Sequence, residues 1–274
     1  MTDSIPAGGQ PEPVLNLAGI TKSFGAVRAL FDVGMVVSAG EVVAVVGDNG
    51  AGKSTLVKIL SGVYTPDSGR IELSGHEATV SDPAVARELG VATVFQDLAL
   101  CDNLDVVENL FLGKEVRAHR LDEVTMEARA WELLQQLSAR IPSVRIPIAG
   151  LSGGQRQIVA IARSLLGDPR LIILDEPTAA LGVAQTAEVL NLVERLRDRG
   201  LAVVLVSHNM ADVLAVCDRV VVLRLGRNNG TFDVADTSTE EIITAITGAS
   251  DNAVTRRASR RLPDGTPIEG AAVS

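Results

Sequence analysis

Aromatic side chains are nearly missing from this chain: one tryptophan, one tyrosine and five phenylalanines make up 3% of its 274 residues. Any core must therefore be aliphatic, and each aromatic is worth asking after separately. Cysteine is scarcer still. Cys101 and Cys217 stand far apart and form no Cys-x-x-Cys pair, so a disulfide framework is not supported and a reduced cytosolic setting is the natural reading. No apolar run approaches the ~20 residues of a membrane-spanning helix, and the N-terminus is polar and proline-bearing rather than signal-like. If the protein works at a membrane, another chain must span it. Positive charge is also in deficit, 25 Lys and Arg against 34 Asp and Glu, a net charge of −9. That argues against a nucleic-acid partner held by a general basic surface.

What is present is aliphatic bulk and glycine. Apolar residues reach 46%, enough for an extensive core, and 274 residues are long enough for one large domain or two small ones. The most informative stretch is Gly47-Asp48-Asn49-Gly50-Ala51-Gly52-Lys53-Ser54-Thr55. It follows a run short enough for one buried strand, Glu41 to Val46, and precedes a helical pattern, Ser54 to Leu60. Strand, glycine loop and helix start together predict a phosphate-binding site. Glycines let successive backbone N–H groups turn inward on phosphate oxygens, and the helix N-terminus adds partial positive charge. Lys53 would reach the β- and γ-phosphates and the Ser54 hydroxyl would bind Mg²⁺.

In chain order, residues Met1 to Pro13 read as a disordered lead-in. Val14 to Ile20 alternates as a strand, Thr21 to Gly25 reads as a loop, and Val27 to Val37 as a second strand. Phe24 stands one strand before the phosphate loop, where it either stacks on an adenine ring or belongs to the core. Arg70 to Leu73 and Val91 to Phe95 read as strands around a short helix, Pro83 to Glu88. Gln96, at the end of the second of these, is placed to reach a nucleotide or metal, because ligands in open α/β sheets lie beyond the carboxyl ends of the strands.

From Asp97 to about Arg140 the pattern turns helical, over Val106 to Leu112 and Glu127 to Leu137, with Trp131, Leu134 and Leu137 as an inward stripe. Ile141 to Ala149 is irregular. The block reads as a helical insertion, about residues 97–165, between two halves of one sheet. Ser152-Gly153-Gly154-Gln155 then opens a helix running to Leu166, either an ordinary serine cap or a second anion-friendly N-terminus. Leu171 to Glu176 is a buried strand ending in two carboxylates. Asp175 suits Mg²⁺, and Glu176 suits the polarisation of an attacking water.

Ala184 to Arg199 forms an amphipathic helix with Val189, Leu190, Val193 and Leu196 inward. The strand Ala202 to Val206 ends at Ser207-His208, a histidine placed to contact a γ-phosphate. Met210 to Cys217 is helical, Val220 to Leu225 and Thr231 to Val234 form a hairpin around Gly226 to Gly230, and Glu240 to Ile246 is a last helix. From Gly248 onward, with arginines at 256, 257, 260 and 261, the chain reads as a disordered tail; weak attraction to anionic lipid is the other reading.

Together these residues resemble the nucleotide-binding subunit of an ATP-binding cassette (ABC) transporter. The order is the family's: Walker A at Gly47 to Thr55, Q-loop at Gln96, signature at Leu151 to Gln155, Walker B at Leu171 to Glu176 and switch histidine at His208. The resemblance covers about Val14 to Thr247. It implies an α/β fold, a P-loop NTPase of ABC type, with a mixed sheet core, N-terminal antiparallel strands and a helical insertion, in a single domain over residues 14–247. It also implies ATP and Mg²⁺ as ligands, with Gln96, Glu176 and His208 at the chemistry. In the family Ser152, Gly153, Gly154 and Gln155 would bind ATP held by a second subunit's Walker A loop, so one cassette implies a head-to-tail homodimer.

A narrower resemblance is to the carbohydrate-uptake branch of ribose, xylose and fructose type, through Gly62 to Gly69, Phe95 to Leu100, Thr178 to Gly182 and Arg224 to Asn228. It is nearest the single-cassette fructose-import type. It implies integral-membrane permease subunits, an extracytoplasmic sugar-binding protein acting indirectly, and a place at the cytoplasmic face of the membrane. Gly182 departs from the wider family, whose D-loop carries aspartate there. Three functions are weighed. A transport ATPase for monosaccharide import fits best. A nucleotide-switched dimerising module with little hydrolysis is opposed by Glu176 and His208. A GTPase or kinase is opposed by the signature and by the lack of an Asn-Lys-x-Asp motif.

Overall fold

The computed structural model describes residues 13–116 and 121–248. Apart from Pro13 and Gly248, the expected lead-in and tail lie outside the described residues.

Two sheets carry the chain. Strands β1 (Pro13–Phe24), β2 (Val27–Ser38), β4 (Ser68–Leu73) and β5 (His76–Glu77) form an antiparallel sheet in the order β2-β1-β4-β5. The second sheet takes β3 (Val42–Val46), β6 (Val91–Val94), β7 (Leu171–Asp175), β8 (Ala202–Val206), β9 (Arg219–Arg224) and β10 (Arg227–Asp233), in the order β10-β9-β3-β8-β7-β6. Only its β9–β10 pair is antiparallel. The helices are α1 (Lys53–Leu60), α2 (Pro83–Glu88), α3 (Val106–Phe111), α4 (Glu123–Gln136), α5 (Gly153–Leu165), α6 (Val183–Asp198), α7 (Met210–Val216) and α8 (Thr239–Thr247).

The short aliphatic runs become strands because both faces of the larger sheet are covered. Successive side chains point to opposite faces. Thus Val42, Ala44 and Val46 join a core with Leu110, Leu134, Ile161 and Val193 from the helices. Val43 and Val45 join the other core, with Leu15, Leu30, Leu56 and Ile59 from the antiparallel sheet and α1. Between β6 and β7 the described residues contain α3, α4 and α5, a 3-10 turn at Ile148–Gly150 and one isolated bridge, Asp105 to Pro147.

Several expectations are corrected. Thr21 to Phe24 is not a loop but the end of β1, and the turn is Gly25-Ala26. Strand pairing with β2 carries polar Lys22 and Ser23 along. The strand before Gln96 ends at Val94, so Gln96 stands two residues beyond it. The hairpin turn is Leu225-Gly226 alone, both at positive φ (49° and 76°), the mirror-image turn that suits strand twist. Arg227 and Asn228 therefore lie in strand register, not in a five-residue loop. On α6 it is Leu192 that is fully buried, while Leu190 only packs against the core. Trp131 likewise packs on the core's edge, whereas Leu134 and Leu137 are buried.

Candidate functional site

The glycine loop is built by what presses on it. Gly47 has φ 151°, and any Cβ there would run into the Leu223 carbonyl of β9. Gly52 has φ 108°, and a Cβ would lie 2.8 Å from the Ala29 carbonyl oxygen of β2. Only glycine admits this path. The β9–β10 turn clasps the loop from outside, Gly226 N–H donating to the Ala51 oxygen at 3.1 Å. Ala51 is buried, while Asp48, Asn49 and Gly50 form the exposed rim. Lys53 curls over the mouth, its Nζ donating to the Gly47 oxygen at 2.6 Å and the Asp48 oxygen at 3.1 Å. Ser54 is exposed on the first turn of α1, and Thr55 half-buried beside it. An ammonium, a helix start and a loop of backbone donors make a cradle that fits a phosphate chain.

The adjacency β3-β8-β7-β6 sets four strand ends in a row: the glycine loop, His208, the Asp175-Glu176 pair and, a step further, Gln96. Glu176 N–H donates to the Val206 oxygen at 2.9 Å, tying the end of β7 to β8. Its φ is 52°, a left-handed conformation uncommon for a residue with a side chain. His208 Nδ1 lies 2.7 Å from Glu176 Oε2, with the histidine side chain 72% exposed and the glutamate 15%. Asp175 beside it is pushed above the usual carboxylate range, first by burial and then by the Glu176 charge, with Lys53 and Lys58 opposing. Two carboxylates thus converge at this strand end. With the Ser54 hydroxyl and the Gln96 amide they supply hard oxygen donors, which fit Mg²⁺ together with phosphate oxygens and water. Gln96 is exposed and makes no side-chain hydrogen bond among the described residues.

Phe24 is 42% exposed, which removes the core alternative. It stands edge-on to Tyr64, ring centroids 5.1 Å apart, with the Lys22 ammonium 5.7 Å from its own centroid.

At the other anion-friendly end, Ser152 caps α5, its Oγ accepting from Gln155 N–H at 3.2 Å. Gln155 is spent within the chain: Oε1 accepts from Ser152 N–H at 3.0 Å and Nε2 donates to the Arg140 oxygen at 3.0 Å. The cap leaves the N–H groups of Gly153 and Gly154 without intrahelical partners. Gly154 has no room for a side chain, a Cβ there falling 2.9 Å from Gln185 Cβ. Among the described residues no hydrogen bond joins this end to the glycine loop, so the two candidate anion-binding ends stand apart in the single chain.

The family model described as "ABC transporter" matches residues 30–179. The chain belongs to the ABC transporter family. It is an ATP-binding cassette, and an ATPase. The "Fructose import ATP-binding protein FrcA" of Rhizobium meliloti is 41% identical over 249 residues, covering 88% of this chain and 96% of that one. The "Xylose/arabinose import ATP-binding protein XylG" of Sulfolobus acidocaldarius is 42% identical over 235 residues, covering 85% and 94%. Among solved structures, the dimeric post-hydrolysis state of the ATP-binding cassette MJ0796 bound to ADP and Pi superposes with a TM-score of 0.68 at 28% identity, covering 80% of this chain and 98% of that one.

The cassette also uses residues that its sequence did not single out. Asn109, fully buried, accepts from Cys101 N–H at 2.7 Å and donates to the Cys101, Leu104 and Asp105 oxygens at 3.0, 3.2 and 2.9 Å. Arg163 of α5 donates to the Ala99 and Leu98 oxygens at 2.8 and 2.6 Å. Between them they fix the backbone that follows Gln96. Thr178 Oγ1 donates to the buried Asp212 Oδ2 at 2.6 Å, anchoring the loop after Glu176 to α7. The only sequence signal was a polar residue on an otherwise inward-facing helix stripe, at Asn109 and Asp212.

Proposed function

We propose that this cassette hydrolyses ATP to drive import of a monosaccharide through a separate integral-membrane permease at the cytoplasmic face of the membrane. The observation that carries it is the Glu176–His208 pair, held at adjoining strand ends beside the phosphate cradle. Phe24 stacks on adenine, residues 47–55 wrap the phosphates and Lys53 meets the β- and γ-oxygens. Ser54, Asp175 and Gln96 would hold Mg²⁺. When bound, it neutralises developing phosphate charge. Glu176 accepts a proton from the attacking water, and His208 orients that carboxylate and reaches the γ-phosphate. Ser152, Gly153 and Gly154 of a second copy close the site in a head-to-tail homodimer, with Gln155 fixing the helix end that presents them.

The segment Gln96 to Leu112 is the contact with the permease, and an extracytoplasmic binding protein delivers the sugar. The import names of the relatives support the sugar class. The test is reconstitution with a permease and binding protein sought among the neighbouring genes, with ATP enclosed in the vesicles and labelled ribose, xylose, arabinose or fructose outside. Uptake of one of them that requires Glu176 supports the reading. Steady ATP turnover with uptake of none overturns the sugar assignment.

A further inference from the structure

Phe24 is the last residue of β1, and the end of that strand is held by a segment far along the chain. On one side β1 pairs with β2 as far as Phe24, but its pairing with β4 stops at Thr21. The loop between α1 and β4 stands beside the remaining residues instead. Asp67 of this loop binds three consecutive residues of β1. Its N–H donates to the Thr21 oxygen at 2.8 Å, Oδ1 accepts from Lys22 Nζ at 2.8 Å, and Oδ2 accepts from Ser23 N–H at 2.7 Å. Tyr64 continues the series, its ring meeting that of Phe24 with centroids 5.1 Å apart and planes at 64°. Tyr64 is itself fastened to α1, the helix that Lys53 and Ser54 open. Its N–H donates to the Lys58 oxygen at 3.0 Å, and the Lys58 ammonium stands 5.4 Å from its ring centroid. The side chain also packs on the core shared by the antiparallel sheet and α1, whereas its hydroxyl makes no hydrogen bond among the described residues.

The chain has one tyrosine, and it stands against the ring that the adenine reading requires. An aromatic side chain at the exposed end of a hairpin has several rotamers open to it. A ring ordered only when the ligand arrives subtracts its lost freedom from the affinity, and one held beforehand does not. Aromatic pairs prefer defined geometries, so a neighbouring ring selects one plane. An edge-to-face pair covers at most one face of Phe24, and Phe24 is 42% exposed, so area remains for a base. We propose that Tyr64 is a positioning residue for nucleotide binding: its ring fixes the plane of Phe24 on which adenine stacks. The proposal rests on the reading that Phe24 stacks on adenine, and it names the residue that holds that platform. Because Tyr64 is bonded to α1, the platform is tied to the helix that begins at the phosphate cradle.

The test is calorimetry on the full chain, with Glu176→Gln to stop turnover, using ATP and inorganic triphosphate as separate probes. Tyr64→Leu removes the ring and keeps an apolar contact with the core. Tyr64→Met is a second ring-free variant should the first fold poorly. Either should raise the Kd for ATP about threefold to tenfold and leave that for triphosphate unchanged. Tyr64→Phe, which keeps the ring, should bind ATP as the parent does. With Phe24→Ala already present, Tyr64→Leu should cost no further affinity, because the two rings act as one unit. In chains that retain Glu176, Tyr64→Leu should raise KM for ATP with kcat unchanged. Unaltered ATP affinity in both ring-free variants, while Phe24→Ala weakens it, overturns this proposal alone. So do additive losses from the two positions, an equal fall for triphosphate, or a loss in Tyr64→Phe. Normal ATP binding by Phe24→Ala overturns the adenine reading and this proposal with it.

Discussion

His208 Nδ1 and Glu176 Oε2 meet at 2.7 Å across the ends of two neighbouring parallel strands, one side chain mostly exposed and the other mostly enclosed. The exposed imidazole thus pairs with an enclosed carboxylate. Replacing Glu176 by Gln preserves the shape but gives a much poorer proton acceptor. Turnover should fall about 10²–10⁴-fold with nucleotide affinity unchanged, read by phosphate release and calorimetry. A variant that keeps near-normal turnover would show that another base serves.

Lys53 is the cationic side chain that bonds across the glycine loop itself, to Gly47 and Asp48. Charge-assisted hydrogen bonds are worth about 1.5–3 kcal/mol each. Lys53→Ala should therefore weaken ATP binding at least tenfold and abolish hydrolysis, with little change in melting, since Asp48 is exposed and Gly47 only half-buried, so water can replace the ammonium. Unaltered ATP affinity by calorimetry would contradict the cradle assignment.

Much of this was legible before any coordinates, and for a physical reason. The phosphate loop, the paired carboxylates and His208 all follow all-aliphatic strands, and such strands in an α/β chain pair in parallel and end on one edge. What the sequence hid depends on partners far along the chain. Thr21 to Phe24 looked like a loop because Lys22 and Ser23 are polar, yet pairing with β2 draws them into β1. Asn109 looked like one polar residue on α3, but its four bonds go to backbone groups of Cys101, Leu104 and Asp105. The five-residue hairpin loop was wrong because Leu225 accepts a positive φ usually left to Gly, Asn or Asp.

Phe24 tests the adenine end of the site. Stacking of a base on an aromatic ring contributes about 1–3 kcal/mol, so Phe24→Ala should raise the Kd for ATP about fivefold or more. Phe24→Tyr should retain affinity. The free phosphate loop still binds, so inorganic triphosphate affinity should not change; if it falls equally, Phe24 acts through the loop and not on adenine.

Asp175 sets stability against function. Burial, and then the Glu176 charge, raise its folded-state pKa above the unfolded value. The folded chain therefore holds this proton more tightly than the unfolded one. Stability from this group is full below the unfolded pKa and is lost as pH rises through the folded one. At neutral pH without metal, ionised Asp175 destabilises the fold. Asp175→Asn should melt higher than the parent at pH 7, and the difference should shrink as pH falls below the raised pKa. The same variant should lose the stabilisation that MgATP gives the parent. A variant that melts lower at pH 7 would indicate that Asp175 is stabilised by partners other than a bound cation.

Gly182→Asp tests whether this position bears on how firmly two copies of the cassette hold together. A glycine where the family carries aspartate either lacks a contact the aspartate would make or adopts a backbone conformation that only glycine tolerates. Its φ is −75° and ψ 163°, ordinary extended geometry, and a Cβ there meets nothing within 4 Å. The second reading is removed. Gly182 is also the N-cap of α6 and supplies no side-chain cap, whereas an aspartate oxygen would accept from the free N–H groups of that first turn. Gly182→Asp should then raise melting slightly, by the few tenths of a kcal/mol that separate glycine from aspartate at this position. If the carboxylate also reaches across a dimer seam, a charge-assisted bond of about 1.5–3 kcal/mol per site should slow dissociation of the MgATP-bound dimer tenfold or more. The Glu176→Gln background, where hydrolysis does not open the dimer, is the place to measure it. Higher melting with an unchanged off-rate assigns Gly182 to the helix end alone. Lower melting would contradict the open geometry found here.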